Sequence, residues 1–300
     1  MNSAHQTVLL EEAVAALALR PDSVVVDATL GAGGHSRLIA DTLGKSGRLI
    51  AFDADPRALQ LAEEKLAEVK PAVKLVKTNF SQLSQILESL QIKQVDGILA
   101  DLGWRTDQFL ELGRGFSFQD EADLLMTYGD PDDYLFTAKE IVNTWDEENL
   151  ADIIFAYGEE KAARRIAKAI VRERMVRPFT SAKELATCIA QVVNPQNRHQ
   201  RIHPATKTFQ ALRITVNDEL QVLAQFIDQA VAALKPGGRL VIITFHSLED
   251  RIVKHRFREL VNLNLGTVLR KKPLVPSPAE IAHNPRARSA KMRTFQKLLT

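Results

Sequence analysis

The feature that most constrains the fold is a repeated alternation of short β-branched runs with helical stretches between residues 23 and 102. Strands are predicted over residues 24–29, 49–53, 73–78 and 95–101. Helices are predicted after Gly33, over residues 56–69 and over residues 81–90. Strands that alternate with helices pair in parallel, so we predict an α/β fold with a doubly wound, mostly parallel sheet.

The alternation stops after Gly103, and residues 114–204 contain no convincing strand. Helices are predicted there over residues 159–174 and from Thr180 or Ser181, where Glu184 completes a capping box. The sheet pattern then resumes, and its elements are a helical stretch over 206–234, strands over 240–245 and 290–299, and a helix over 248–260. We therefore predict a discontinuous sheet domain, residues 1–110 and 205–300, and an inserted helical domain, residues 111–204.

Composition narrows the class of protein. Hydrophobic residues make up 45% and charged residues 25% of the 300, which is typical of a globular protein. No apolar run approaches the ~18 residues of a membrane helix. The N-terminal stretch carries Glu11 and Glu12 and lacks a basic start, so we expect a cytoplasmic protein without a membrane partner. The single cysteine, Cys188, excludes thiolate zinc clusters, and we predict a core position for it and no metal site.

Charge is unevenly distributed along the chain. The last 50 residues hold twelve Lys or Arg and two acids, whereas the first 250 hold 27 basic and 35 acidic residues. A basic tail of this kind is typical of nucleic-acid contact, with a merely solvated basic face as the alternative.

A glycine-rich turn is predicted between the first strand and its helix, with the sequence Asp27-Ala-Thr-Leu-Gly31-Ala-Gly33-Gly34-His35-Ser36. Glycines there let the backbone approach a ligand closely. A dinucleotide fingerprint would carry a third glycine where Ser36 stands, and Asp27 suits a cationic ligand better than a pyrophosphate. S-adenosylmethionine is therefore favoured over NAD, and a turn without a ligand is the alternative.

Two further positions suit an adenosine cofactor. Asp53 ends the second strand some twenty residues after the glycines, where an acid can bind both ribose hydroxyls of either cofactor. Asp55 precedes Pro56 and is predicted to cap the helix instead. Phe80 follows the third strand and could stack on an adenine or lie in the core.

Asp101-Leu-Gly103 ends the fourth strand, beside the glycine turn at the expected switch point of the sheet. A carboxylate there can accept hydrogen bonds from an exocyclic amine and hold it in line for methyl transfer. Methylation of a pyrimidine carbon would need a cysteine nucleophile near this strand, and the chain has none there. The alternative for Asp101 is a turn or capping acid.

Seven blocks, in order, resemble the RsmH (MraW) family of 16S rRNA cytosine-N4 methyltransferases over nearly the whole chain. The blocks are His5-Gln-Thr-Val-Leu-Leu-Glu-Glu, the turn ending Gly33-Gly34-His35-Ser36, Arg114-Gly-Phe-Ser-Phe118, Tyr157-Gly-Glu-Glu-Lys161, His203-Pro-Ala-Thr-Lys-Thr-Phe-Gln-Ala-Leu-Arg213, Pro236-Gly-Gly-Arg-Leu with Phe245-His-Ser-Leu-Glu-Asp-Arg-Ile-Val-Lys254, and Asn284-Pro-Arg-Ala-Arg-Ser289.

The resemblance implies a class I S-adenosylmethionine-dependent methyltransferase fold with an inserted helical substrate-recognition domain. It implies direct methyl transfer to N4 of a decoding-centre cytidine in 16S rRNA of the small ribosomal subunit, with Asp101 as the catalytic residue. The cofactor contacts it implies are Gly33, Gly34, His35, Asp53, Phe80, Asp101 and Gln108. The RNA contacts it implies are Lys207, Arg213, His246, Arg286 and Arg288. The oligomeric state stays open, with a homodimer as one expectation.

Two segments depart from the family pattern. After Asp-Leu-Gly the family usually has Val-Ser-Ser-Pro-Gln-Leu-Asp, and this chain has Trp104-Arg-Thr-Asp-Gln108-Phe-Leu. The second departure follows Phe118. Both put base positioning in question more than cofactor binding, so an RNA-binding homologue without catalysis stays an alternative, as does a nicotinamide oxidoreductase.

Three side chains keep two interpretations each. Trp104 could stack on a flipped cytosine or pack in the core. His246 could orient the substrate or cap the following helix, and a structural turn role is favoured over catalysis for His203.

Overall fold

The computed structural model describes residues 6–103, 113–118, 121–193 and 203–299. The chain divides into a sheet unit, Met1–Trp104 with Leu220–Thr300, and a helical unit, Arg105–Glu219. This division differs from the predicted one at the second boundary, near residue 205. The difference arises because the helix Thr206–Asn217 packs on the helix Glu147–Gly158 and so belongs to the helical unit.

The sheet unit is built on a seven-stranded sheet. Its strands are β1 (Val24–Asp27), β2 (Arg48–Asp53), β3 (Ala72–Lys77), β4 (Val95–Asp101), β5 (Leu234–Thr244), β6 (Gly266–Val268) and β7 (Lys291–Lys297). Their order is β3-β2-β1-β4-β5-β7-β6, parallel from β3 to β5, with β7 antiparallel to both β5 and β6. The predicted α/β fold is confirmed, and the carboxyl ends of β1, β2 and β4 meet at one edge.

Helices cover both faces of this sheet because the parallel strands are buried on both sides. The helices of the sheet unit are α1 (Leu10–Leu17), α2 (Gly34–Thr42), α3 (Pro56–Leu66), α4 (Leu83–Ser89), α10 (Glu219–Ala233), α11 (Ser247–Asn262) and α12 (Pro278–His283). Of these, α12 buries no residue. As predicted, the Asp55 side chain caps α3, accepting from the Arg57 N–H at 3.0 Å. The sequence interpretation did not anticipate α1, α12 or the short edge strand β6.

The helical unit contains α5 (Ala138–Thr144), α6 (Glu147–Gly158), α7 (Ala163–Val176), α8 (Ala182–Val192) and α9 (Thr206–Asn217). The capping box predicted at Ser181 and Glu184 is present at the start of α8. Cys188 is buried among the hydrophobic residues of this unit, as predicted. The helix predicted from residue 159 starts at Ala163 because Glu159 adopts a left-handed conformation (φ 47°) that ends α6.

The helical stretch predicted over 206–234 is confirmed, and it consists of two helices separated at Asp218 by a left-handed residue (φ 47°). The strand predicted over 240–245 starts at Leu234, because β5 already pairs with β4 there. The pairing then shifts from Val95–Leu234 to Gly97–Arg239, so the segment Lys235-Pro236-Gly237-Gly238 lies within an irregular strand.

Within the described residues, no helix is both long and apolar enough to cross a membrane.

Candidate active site

Three aspartates end neighbouring parallel strands of the sheet unit. Asp27 ends β1, Asp53 ends β2 and Asp101 ends β4, and β1 pairs with both other strands. The topology therefore brings together three carboxylates that are up to 74 residues apart in the sequence. This is the edge at which doubly wound sheets bind their ligands.

The glycine-rich turn after β1 is held in place by β2. The Leu30 N–H donates to the Phe52 carbonyl at 2.7 Å, and the Gly31 N–H donates to Asp53 Oδ2 at 2.8 Å. Gly31 (φ 52°) and Gly33 (φ 71°) adopt left-handed conformations that favour glycine. The sequence predicted this turn from its glycines, and the structure adds that Asp53 orients it.

Asp101 is fixed by the residues on either side of it in space. Its own N–H donates to Thr29 Oγ1 at 2.6 Å, and its Oδ1 accepts from the Gly103 N–H at 2.9 Å. A Cβ on Gly103 would lie 2.7 Å from the Phe245 ring and 2.9 Å from Asp101 Oδ1. A side chain at 103 would therefore displace the Phe245 ring or the Asp101 carboxylate. Thr29 was not predicted as a site residue, because its partner Asp101 lies 72 residues away in the sequence.

The pKa of Asp101 is raised from 3.8 to about 7, chiefly by burial. The Gly103 hydrogen bond lowers it, and the negative charges of Asp27 and Glu249 contribute to the rise. Its side chain keeps 16% of its exposure, so an approaching ligand can reach it. A carboxyl group with a pKa near neutrality can exchange a proton at physiological pH. The predicted catalytic position therefore has the electrostatics that proton acceptance needs.

His35 lies beside Asp101 and is neutral. Burial lowers the pKa of its imidazole to about 4. Its Nε2 lies 3.2 Å from the Val8 carbonyl, which can only accept, so Nε2 carries the proton. The lone pair of Nδ1 then faces Asp101 Oδ2 at 3.7 Å. His35 consequently offers no positive charge to stabilise ionised Asp101.

Asp27 is fully buried and ties β1 to α2. Its Oδ2 accepts from the Ser36 hydroxyl at 2.6 Å, and its Oδ1 accepts from the Thr29 N–H at 3.2 Å. Burial, and to a smaller extent the charge of Asp53, raise its pKa to about 6, although both hydrogen bonds lower it. Ser36, which interrupts the dinucleotide pattern, thus has a structural partner in Asp27.

The remaining predicted cofactor residues fall into two groups. Phe80 is half-buried and packs edge-to-face on Phe226, with ring centroids 5.1 Å apart, so the core interpretation holds and stacking on an adenine stays a prediction. Gln108, like Trp104, lies outside the described residues.

His246 starts α11 as its N-cap. Its Nδ1 accepts from the Glu249 N–H at 3.5 Å, while the buried Glu249 carboxylate accepts from the Phe245 N–H at 2.7 Å. The capping interpretation is therefore confirmed, and substrate orientation stays a prediction. Glu249 itself was missed, although an acid three residues after a cap is a capping-box signal.

The residues predicted to contact RNA differ in exposure and in the partners they have within the protein. Arg286 and Arg288 are exposed on either side of the buried Ala287. Lys207 is exposed, and its Nζ donates to the Glu159 carbonyl at 2.9 Å. Arg213 is half-buried and forms a bidentate salt bridge with Glu219. Its Nε and Nη2 lie 2.8 and 3.1 Å from the two carboxylate oxygens. Its charge is therefore compensated within the helical unit.

His203 has a local structural role. Its Nδ1 accepts from the Ala205 N–H at 3.2 Å, and its ring stacks on Phe118 at 4.5 Å. These contacts agree with the structural turn role that the sequence favoured for His203.

The residues at the sheet edge fit S-adenosylmethionine better than a dinucleotide. Asp27 and Asp101 form no ion pair with a lysine or arginine of the described chain, and the neighbouring His35 is neutral. A cationic ligand would be attracted by these carboxylates, whereas a pyrophosphate would be repelled. The nicotinamide alternative is correspondingly disfavoured.

Comparison with known proteins agrees with this geometry. The profile of the MraW methylase family matches residues 2–298. The ribosomal RNA small subunit methyltransferase H of Trichormus variabilis is 47% identical over 293 residues, which are 98% of this chain and 92% of that one. Its namesake from Brevibacillus brevis is 43% identical over 98% of both chains. With its class I methyltransferase sheet and this full-length match, the chain belongs to the MraW methylase family.

Proposed function

We propose that this methylase transfers a methyl group to N4 of a decoding-centre cytidine in 16S rRNA of the small ribosomal subunit. S-adenosylmethionine is the methyl donor of the family, as the sequence predicted. The curated relatives, named ribosomal RNA small subunit methyltransferase H, support an rRNA substrate. The names of these relatives do not specify the methylated atom, which we assign to N4.

The position and the pKa of Asp101 are the main support for assigning the methylated atom to N4. Its carboxylate ends β4 beside the glycine turn, is oriented by the Gly103 N–H, and has a pKa near neutrality. An exocyclic amine has two N–H donors and a delocalised lone pair, so its reaction is helped by an acceptor that withdraws a proton. A pyrimidine carbon would instead need a thiol nucleophile, and the single cysteine is buried in the helical unit.

In the proposed reaction the methyl group is transferred directly, without a covalent enzyme intermediate. When bound, S-adenosylmethionine supplies a sulfonium methyl group. Cytidine N4 forms a bond to the methyl carbon as the carbon–sulfur bond breaks, and N4 loses one proton. Asp101 accepts a hydrogen bond from the N4–H group and then the proton itself. Gly31 and Gly33 form the turn, which Asp53 holds through the Gly31 N–H. In this proposal Asp53 would bind the ribose hydroxyls and Phe80 would stack on the adenine.

The test is methyl transfer from labelled S-adenosylmethionine to small ribosomal subunits from cells that lack the endogenous enzyme, with the modified nucleoside identified by mass. We expect N4-methylcytidine with the unaltered chain and at least a 100-fold lower rate with Asp101→Ala. Label on another base would refute the N4 assignment and leave the methylase activity standing.

The alternative of a catalytically silent RNA-binding homologue predicts a different result. It predicts binding of S-adenosylmethionine and of small subunits with no labelled product. The altered segment that begins at Trp104 motivates this alternative, so the same assay decides between the two.

A further inference from the structure

One helix of the helical unit concentrates positive charge in an otherwise acidic unit. Residues 161–177, which contain α7, hold seven basic residues and one acid. The rest of the unit, Arg105–Glu219, holds eight basic and eighteen acidic residues. Nearly half of the basic residues of this unit thus lie on about a seventh of its length.

Four of these cations form a row on the outer face of α7. The cationic row consists of Arg164, Arg165, Lys168 and Arg172, all exposed. At 100° per residue they fall within an arc of about 100°, and at 1.5 Å per residue the row is about 12 Å long. The opposite face carries Ile166 and Ile170, both buried in the core of the unit. The helix is therefore anchored on one side and presents its charge on the other.

The row is not used to stabilise the fold through ion pairs. In the described ranges, the side chains of Arg164, Lys168 and Arg172 form no hydrogen bond or salt bridge, although the unit is rich in acids. Arg165, the fourth member of the row, donates to the Val192 carbonyl. Among the other cations of the segment, Arg174 donates to the Val142 carbonyl and Arg177 pairs with Glu184.

We propose that the cationic row of α7 binds the phosphate backbone of the substrate RNA, as a contact surface additional to the basic C-terminal tail. This inference rests on the proposed rRNA substrate. Arginine and lysine bind phosphate by charge-assisted hydrogen bonds, and arginine can do so with two donors. Such contacts fix the register of the RNA without reading its sequence.

The test compares a charge-removing variant with the unaltered chain. In Arg164→Gln/Lys168→Gln/Arg172→Gln, the dissociation constant for naked 16S rRNA and for small subunits is measured over a series of salt concentrations. Each lost phosphate contact lowers the slope of log affinity against log salt by about 0.7 to 0.9, so we expect a loss of about 2. KM for small subunits rises at least tenfold, while affinity for S-adenosylmethionine and the melting temperature stay unchanged.

Two controls separate position from charge. Lys45→Gln/Lys70→Gln/Lys93→Gln removes the same three charges from exposed loops that enter β2, β3 and β4, at the sheet edge opposite the active site. We expect it to keep the salt slope within about 0.5. Arg164→Lys/Arg172→Lys retains the charge and is expected to keep most of the affinity. If the triple variant does not fold, Lys168→Gln alone is expected to lower the slope by about 0.8.

The outcomes are distinct. Equal slopes for the triple variant and its control would overturn the inference. Weakened binding to subunits with unchanged binding to naked 16S rRNA would also overturn it, because the partner of the row would then be a ribosomal protein. Failure of the unaltered chain to methylate or bind rRNA at all would refute the proposed function instead.

Discussion

At the scale of single residues, the active-site edge is defined by carboxylates that burial keeps protonated up to unusually high pH. Asp101 has a pKa of about 7 beside a neutral His35, so proton acceptance by Asp101 is available only above that pH in the free enzyme. A bound sulfonium would favour the ionised form and lower this pKa.

The first prediction concerns the pH dependence of methyl transfer. Because kcat/KM reports the pKa values of the free enzyme, it should rise with pH and reach half its plateau near pH 7. Asp101→Asn cannot ionise, so it should lose this rise and show a plateau about 100-fold lower. A pH profile measured between pH 5.5 and 8.5 checks this, and the same rise in Asp101→Asn would assign it to another group.

The second prediction concerns stability and Asp27. Its pKa is about 6 in the folded chain and 3.8 in the unfolded one, so the folded state binds more protons between these values. The stabilisation by protonated Asp27 is full below pH 3.8 and is lost as the pH rises through 6. Asp27→Asn keeps an acceptor for Ser36. Its free energy of unfolding, compared with that of the unaltered chain, should rise by about 3 kcal/mol as the pH increases from 4 to 7.5.

Denaturant unfolding at several pH values measures this gain. Asp22→Asn is the matched control, because Asp22 is exposed and should change the pH dependence by less than about 0.5 kcal/mol. A gain of equal size in the two variants, or none in Asp27→Asn, would contradict the proposed cause.

At the scale of elements, local signals decided which predictions succeeded. Ser181 and Glu184 predicted the start of α8 because a capping box satisfies the free N–H groups within one turn of sequence. Likewise Asp55 and Pro56 predicted the start of α3. The irregular start of β5 was missed because it depends on pairing with β4, which is distant in the sequence.

The active site divides in the same way. Asp53, Asp101 and the glycine turn followed from strand ends and spacing. The hydrogen bond of Thr29 to Asp101 and the contact of Val8 with His35 join residues 72 and 27 apart, and no local pattern indicates such pairs.

The third prediction tests the cap of α8. Ser181→Ala removes the acceptor for the Glu184 N–H and should lower the free energy of unfolding by about 1 kcal/mol. The methyl donor should bind as before, since Ser181 lies in the helical unit. Denaturant unfolding compares this variant with Ser46→Ala, an exposed serine for which a change within about 0.5 kcal/mol is expected. Equal losses would show that the cap contributes nothing.

At the scale of the whole molecule, the basic tail carries less free charge than its composition suggests. Arg293 is buried and pairs with Asp250 at 2.6 Å, and Arg256 pairs with Asp228 and Glu259. Arg286 and Arg288 are exposed and are the two tail residues predicted to contact RNA.

The fourth prediction follows from that distinction. Arg286→Gln/Arg288→Gln should reduce the slope of log affinity for small subunits against log salt by about 1.5, with unchanged affinity for S-adenosylmethionine. Lys45→Gln/Lys93→Gln is the control of equal charge and should leave the slope within about 0.5. An undiminished slope in the tail variant would mean that these arginines remain solvated during binding.

The insertion of the helical unit between β4 and β5 also affects how the sheet forms during synthesis of the chain. β4 ends at Asp101, but its second neighbour β5 is complete only at Thr244, and the intervening helical unit has a core made of its own residues. At 5–20 residues per second, a ribosome needs roughly 7 to 29 s to make that stretch. For this interval one edge of β4 has no partner, and an unpaired edge invites wrong pairing. Prompt folding of the newly made helical unit would keep this nascent intermediate compact until the sheet closes.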